Sequence, residues 1–161
     1  MKVLIVSDTH KHNENLEEVL KKVKPIDMLV HCGDAEGAEE YIQENCECPL
    51  YIVSGNNDFF SKLPYELEFY IDKYKAFLCH GHTYYVSMGL ERLIEEAKLR
   101  KADIAFYGHT HRPLIELRDG IMVINPGSLS YPRQEGKVPT YVVMEIDKYG
   151  DASYTLNYFE K

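Results

Sequence analysis

Five short clusters in this chain carry residue types that bind cations: Asp8-Thr9-His10, Gly33-Asp34, Gly55-Asn56-Asn57-Asp58, His80-Gly81-His82 and Gly108-His109-Thr110-His111. Each follows an apolar stretch: VLIVS, MLVHC, LYIVS, KAFLC and IAFY. Carboxylate, imidazole and amide oxygen together suit Mn²⁺, Fe, Zn²⁺ or Ni²⁺ better than a thiolate-selected metal. α/β proteins gather their sites at the carboxyl ends of parallel strands, so clusters at strand ends are placed to meet. The chemistry such a set supports is metal-dependent hydrolysis of a phosphate ester. Two ions about 3.5–4 Å apart clamp the non-bridging oxygens and lower the pKa of a water that attacks in line. Cations that close need a bridging carboxylate. Asp34 is the natural bridge, because Gly33 before it allows close backbone approach. Asp8 with His10, and His109 with His111, stand two residues apart, which at a strand end puts both side chains on one face.

The elements that must position these clusters can be read from the apolar pattern. Residues 2–7 read as a buried strand and 13–23 as a helix, with Asn13 as its cap, Leu16, Val19, Leu20 and Val23 on one face, and Pro25 ending it. Strands at 28–30 and 50–53 flank a short acidic helix at 36–44. This β-α-β-α-β opening implies right-handed crossovers and a parallel sheet. Residues 67–71 and 75–79 then read as a hairpin, 88–100 as a helix and 104–107 as a strand. Further hairpins are predicted at 114–124, around Asp119-Gly120, and at 141–158. That is too many strands for one parallel sheet. Two mixed sheets packed face to face, with helices outside, account for the count. Residues 131–139 read as the mobile loop. Between Asp58 and His80 there is room only for a hairpin, so a single domain over 1–161 without a cap is expected.

The bulk composition narrows the class. A chain of 161 residues, 45% hydrophobic, is long enough for one well-filled core. Its net charge of −8 argues against stable nucleic-acid binding and against an anionic membrane surface. It leaves a phosphate ester open, since two divalent cations reverse the local sign. No run is long enough to span a membrane. The apolar run after Lys2 is only VLIV, so no signal peptide is expected. Cys46 and Cys48 are too close in sequence for an unstrained disulfide, and the four cysteines suggest a reduced, cytoplasmic protein.

The ordered set of motifs, continued by Asn125-Pro126-Gly127-Ser128, resembles that of the calcineurin-like metallophosphoesterases, and most closely the small prokaryotic YfcE-type phosphodiesterases. The resemblance implies an α/β fold, a four-layer α/β/β/α sandwich of two mixed sheets flanked by helices. It implies two divalent ions, manganese first and nickel, iron or zinc as alternatives. One ion would be held by Asp8, His10, Asp34 and His111, the other by Asp34, Asn56, His80 and His109. Asp34, Asn56 and His80 would then be catalytic, and the substrate a small-molecule phosphate diester. A homodimer is compatible with the resemblance. The wider superfamily places a histidine where this chain has Asn57, and a neutral amide cannot act as a general acid.

Other residues have a bland reading beside the sharp one. Asn57 either touches substrate or closes a turn. His82 and His12 are candidate substrate contacts, against ordinary loop hydrogen bonds. Arg133 could meet a phosphate, against an exposed arginine. Asp58 reads as an orienter of imidazole ligands, His31 as structural, and the acidic stretch Glu36–Glu44 as a solvated helix face. The functional alternative is a non-catalytic scaffold on the same fold, like the metallophosphoesterase-like subunit of the retromer. A scaffold is free to lose ligands, yet all seven positions here hold competent residues.

Overall fold

The computed structural model describes residues 1–160. Strands β1 (Lys2–Val6), β2 (Met28–His31) and β3 (Leu50–Ile52) are parallel, with α1 (Glu14–Val23) and α2 (Glu39–Asn45) in the crossovers. A second sheet is built from β4 (Glu66–Ile71), β5 (Tyr74–Cys79), β6 (Ile104–Phe106), β7 (Leu114–Arg118) and β8 (Ile121–Asn125), and α3 (Glu91–Leu99) connects β5 to β6. Strands β9 (Thr140–Ile146) and β10 (Ala152–Tyr158) return to the first sheet as antiparallel neighbours of β1. The sheet orders are β10-β9-β1-β2-β3 and β4-β5-β6-β8-β7.

Period-two alternation divides the apolar residues among three cores. Val3 and Ile5 point between the sheets, where they join Leu78, Phe106 and Ile124. Leu4 and Val6 point the other way, onto Leu16, Val19 and Leu20 of α1 and Ile42 of α2. In the second sheet Phe77, Ala105 and Val123 pack under Leu93, Ile94 and Ala97 of α3. Both faces of both sheets are therefore covered, giving the α/β/β/α layers. Continuous apolar strands such as VLIV follow from burial on two sides. Each fully buried Leu, Ile or Phe contributes about 1.5–3 kcal/mol relative to exposure.

Several boundaries differ from the sequence reading. The acidic helix begins at Glu39 rather than 36, because Glu36 and Gly37 take left-handed φ values of 53° and 83° that a right-handed helix does not admit. The third helix begins at Glu91 rather than 88, after Gly89 at φ 149°. Asn13 occupies the cap position of α1, but its side chain makes no capping bond. The stretch 131–139 carries no helix or strand and is tied to His111 at both Tyr131 and Arg133. The four cysteines are free thiols.

Candidate metal centre

The clusters meet at the carboxyl ends of β1, β2, β3, β5 and β6, on loops rather than on the strands themselves. Asp8, His10, Asp34, His109 and His111 all have positive φ, between 46° and 68°. Strand alternation therefore does not set the paired side chains. Left-handed turns do, and strained backbone of this kind gathers at functional sites. Two glycines permit the crowding. A side chain at Gly33, itself at φ 100°, would come within 2.7 Å of His80 Nδ1, and one at Gly108 would collide with Ser7 and Asp8.

The hydrogen-bond pattern fixes which ring nitrogens face inward. His10 Nδ1 lies 2.6 Å from Glu36 Oε1. His111 Nδ1 lies 2.7 Å from the Tyr131 carbonyl, and His80 Nδ1 2.7 Å from the Cys32 carbonyl. Each partner only accepts, so each neutral ring carries its hydrogen on Nδ1 and turns the Nε2 lone pair into the cluster. There His10 Nε2 is 3.2 Å from His111 Nε2, and His111 Nε2 is 3.1 Å from Asp8 Oδ1. His80 Nε2 is 3.4 Å from Asp34 Oδ2 and 3.0 Å from Asn56 Oδ1. His109 Nδ1 is 2.9 Å from the same amide oxygen.

The carboxylates are aimed the same way. Asp8 is fully buried. Its Oδ2 accepts from Ser7 Oγ at 2.6 Å and the His109 N–H at 3.1 Å. Its Oδ1 is buried without a hydrogen-bond partner. Asp34 Oδ2 sits between the two sides, 3.4 Å from His80 Nε2 and 3.9 Å from His10 Nε2. The result is a cluster of acceptors with few protons among them. An unpaired buried carboxylate oxygen facing imidazole lone pairs is costly unless a cation lies between. The groups Asp8, His10, His111 and Asp8, Asp34, His80 each offer ligand atoms within 4.8 Å of one another. The residues present fit divalent metal.

Titration follows the same crowding. Burial opposes ionisation of Asp8, but His111 and His80 beside it outweigh that and lower its pKa. Asp34 is held well below the carboxylate range: burial raises it, while His80 and the two Asn57 hydrogen bonds lower it further. Burial disfavours charge on His80, yet Asp34 and Asp8 raise its pKa overall. His109 and His82 are pushed down by burial and by His80.

The remaining predicted residues fall around this cluster. Asn57 turns its amide onto the carboxylate: its Nδ2 donates to Asp34 Oδ2 at 2.8 Å and its N–H to Oδ1 at 2.9 Å. Asp58 is an orienter, though of backbone rather than of imidazole. It accepts the N–H groups of Asp34, Gly55 and Glu36 at 2.8, 2.7 and 2.6 Å. His82 is half-buried, its ring 5.4 Å from that of His80, and its Nδ1 has no partner. His12 is exposed at the rim, 2.7 Å from the Tyr131 hydroxyl. Arg133 and Lys137 line a recess of about 640 Å³ that opens onto His10 and His111. His31 is structural: it is buried and joins Thr9 to Gly33.

Sequence reasoning missed Glu36, read as solvated surface, which holds His10. It also missed Tyr131, whose carbonyl holds His111. The loops themselves are pinned from behind. Ser128 Oγ donates to the Asp8 carbonyl at 2.8 Å, Ser130 Oγ to the Thr9 carbonyl at 2.7 Å, and Asn125 Nδ2 to the Gly108 carbonyl at 2.9 Å. The NPGS motif was the available signal for Asn125 and Ser128.

An α/β/β/α sandwich with acidic and imidazole side chains gathered at its strand ends is an architecture suited to a metal-dependent phosphoesterase. The chain belongs to the calcineurin-like phosphoesterase superfamily, whose domain model matches residues 1–149. It is 33% identical over 151 residues to a probable metallophosphoesterase of Mycoplasma pneumoniae, covering 91% of each. It is 31% identical over 146 residues to a phosphodiesterase of Methanocaldococcus jannaschii, covering 79% of this chain and 83% of that one. A predicted phosphoesterase of Streptococcus pneumoniae superimposes with a TM-score of 0.80 at 27% identity, covering 97% of each chain. Vacuolar Protein Sorting 29 of Cryptosporidium parvum shares the fold, with a TM-score of 0.76 at 20% identity over 99% of this chain and 98% of that one.

Proposed function

We propose that this protein is a dinuclear metal-dependent phosphodiesterase acting on small-molecule phosphate diesters, with manganese as its first metal. The observation that carries the reading is the acceptor cluster: three imidazole Nε2 atoms, the orphaned Asp8 Oδ1 and Asp34 Oδ2 facing one another. Bound divalent ions would supply charge against the phosphoryl oxygens and lower the pKa of an attacking water. Asp8, His10, Asp34 and His111 would hold one ion, and Asp34, Asn56, His80 and His109 the other. Asp34 sits between the two halves and is kept ionised by its neighbours.

A diester is favoured over a monoester by the space around the cluster. One recess, lined by Arg133 and Lys137, lies against His10 and His111; another lies beyond Asn57 and Glu36. An ester can therefore extend to both sides of the ligands. Arg133 would meet the non-bridging oxygens, and His12 and His82 would border the bound ester. With Asn57 committed to Asp34 and unable to give up a proton, the leaving group takes its proton from His82 or from water. Activated aryl esters should then react faster than alkyl esters. The stretch between Asp58 and His80 holds only the β4–β5 hairpin, which leaves the site open.

The scaffold alternative has the fold likeness to Vacuolar Protein Sorting 29 in its favour. The complete ligand set, with the rings of His10, His80 and His111 anchored from outside and turned inward, favours the enzyme. The test is to strip the protein with chelator and reload it with Mn²⁺, Ni²⁺, Fe²⁺ or Zn²⁺. Bis(p-nitrophenyl) phosphate and p-nitrophenyl phosphate are then assayed side by side. Restored turnover, faster on the diester, is expected. Metal uptake without turnover of either ester would select the scaffold.

A further inference from the structure

The loop that follows the Asn56-Asn57-Asp58 cluster exposes two adjacent aromatic side chains. Phe60 is fully exposed and Phe59 is 79% exposed. Neither joins a core cluster. Both line a recess of about 500 Å³, of a size that holds a nucleoside-scale ligand. The recess is continuous with the candidate metal centre: Asn57, which donates to Asp34, and Glu36, which holds His10, form part of its wall. Lys11, directly after His10, and Glu39 line it as well. Glu39 Oε2 is buried and has no hydrogen-bond partner. Buried acceptors are normally paired, and the other Glu39 oxygen accepts from Ser61 Oγ at 3.5 Å, so the carboxylate keeps capacity for a further donor.

We propose that this recess seats the nucleoside arm of the phosphodiester, its base lying on Phe59 and Phe60 and its amino or imino edge donating to Glu39. The inference rests on the phosphodiesterase reading and names its substrate class. Every base has a π-face, so exposed aromatic rings serve as a platform whatever the sequence. A carboxylate acceptor selects bases with adjacent N–H donors, and of these guanine offers two on one edge. Lys11 also lines the recess, and its positive charge offsets that of Glu36 and Glu39 against an anionic ester. An alkyl arm would use neither the rings nor the acceptor.

The experiment compares two activated esters with the same leaving group on manganese-loaded protein. One is the p-nitrophenyl ester of guanosine 5′-monophosphate, the other methyl p-nitrophenyl phosphate. Phe60 has no packing role, so Phe60→Ala leaves the fold intact. It should lower kcat/KM for the nucleoside ester on the order of 10-fold and leave the methyl ester unchanged. Glu39→Gln should narrow the preference for the guanosine ester over the thymidine ester. Equal changes on both esters, or none on either, would overturn the proposal. Binding is read separately, by ligand-observed NMR of guanosine with metal-free protein. Guanosine signals should respond to the wild type and not to the Phe59→Ala, Phe60→Ala double variant. Inactivity on both esters with this binding intact would count against the phosphodiesterase reading and not against the recess. Loss of a macromolecular partner in Phe60→Ala, with unchanged ester kinetics and no guanosine binding, would assign the rings to docking instead.

Discussion

The two halves of the acceptor cluster are built differently. Around Asp8, His10 and His111 the groups are buried or nearly so, and each imidazole is gripped on its outer nitrogen, His10 by Glu36 and His111 by the Tyr131 carbonyl. Around Asn56 and His109 the groups reach solvent. Asn56 is exposed, His109 is only partly buried, and among the described residues the His109 ring has one hydrogen bond, to Asn56 itself. His80 is the exception on that side, buried and anchored to Cys32. One half is preorganised and anionic, while the other is half open and supplies a neutral amide. Outer partners that fix ring orientation typically change metal affinity by about 10–100-fold. On the proposed reading the Asp8 half holds its ion tightly and the Asn56 half exchanges its ion, with Asp34 coupling the two.

The most damaging change should therefore be the one that serves both halves. Asp34→Asn removes the charge shared by His10 and His80 while keeping the shape. Turnover of an aryl diester should fall on the order of 10²-fold or more, and metal analysis should find less than two ions per chain. Full occupancy with ordinary turnover in this variant would remove Asp34 from the bridge.

Next in size is the grip on the buried half. Glu36→Gln replaces a charged acceptor for His10 Nδ1 with a neutral one that can also donate. Metal titration followed by calorimetry should show the tighter class weakened by about 10-fold, with the weaker class little changed. If the weaker class moved instead, the halves would be assigned the wrong way round. Asn56→Asp works from the other side. It adds a charge to the open half and should tighten the weaker class by about 10-fold or less, bringing the two classes together. A variant whose two classes stay as far apart as before would show that charge is not what distinguishes them.

The difference between the halves was only partly legible in the sequence. That Asp8, His10, Asp34, Asn56, His80, His109 and His111 come together could be read from residue types placed after apolar runs. Parallel strands bring their carboxyl ends to one edge whatever the intervening helices do. The layers were legible for the same reason, since VLIV and IAF are apolar on both faces. What holds these side chains was not. Glu36 stands in an acidic stretch that has the composition of a solvated helix, and it reaches His10 only because three of the residues between 34 and 37 take left-handed φ. The Tyr131 and Cys32 contributions are carbonyls, which every residue possesses, so no side-chain signal exists for them. Asp58 was expected to orient imidazole and instead gathers three backbone N–H groups. A carboxylate in a turn carries the same letter in both roles.

The smallest effect concerns the support beneath both halves. His31 Nδ1 accepts the Gly33 N–H at 3.2 Å, so its hydrogen lies on Nε2, 3.0 Å from Thr9 Oγ1. The neutral ring thus ties the loop of Asp8 to the loop of Asp34. Burial pushes its pKa from 6.5 down to about 4, against the attraction of Asp8 and Asp58. The unfolded chain takes up a proton near pH 6.5 that the folded ring refuses until about pH 4. Stability from the neutral ring is therefore complete above that upper value and is lost as the pH falls between the two, by at most about 3 kcal/mol. His82 and His109, also lowered, act in the same direction, and His80, raised, acts in the opposite one. The informative quantity is thus the difference between wild type and His31→Asn, both metal-free, in urea unfolding from pH 7.5 to 4.5. At pH 7.5 the variant should be less stable by about 1–2 kcal/mol, for the lost bond to Thr9. That gap should close on acidification, because the asparagine has no proton to refuse. Parallel curves would mean that His31 titrates alike in both states, and the neutral bridge beneath the two halves would have to be given up.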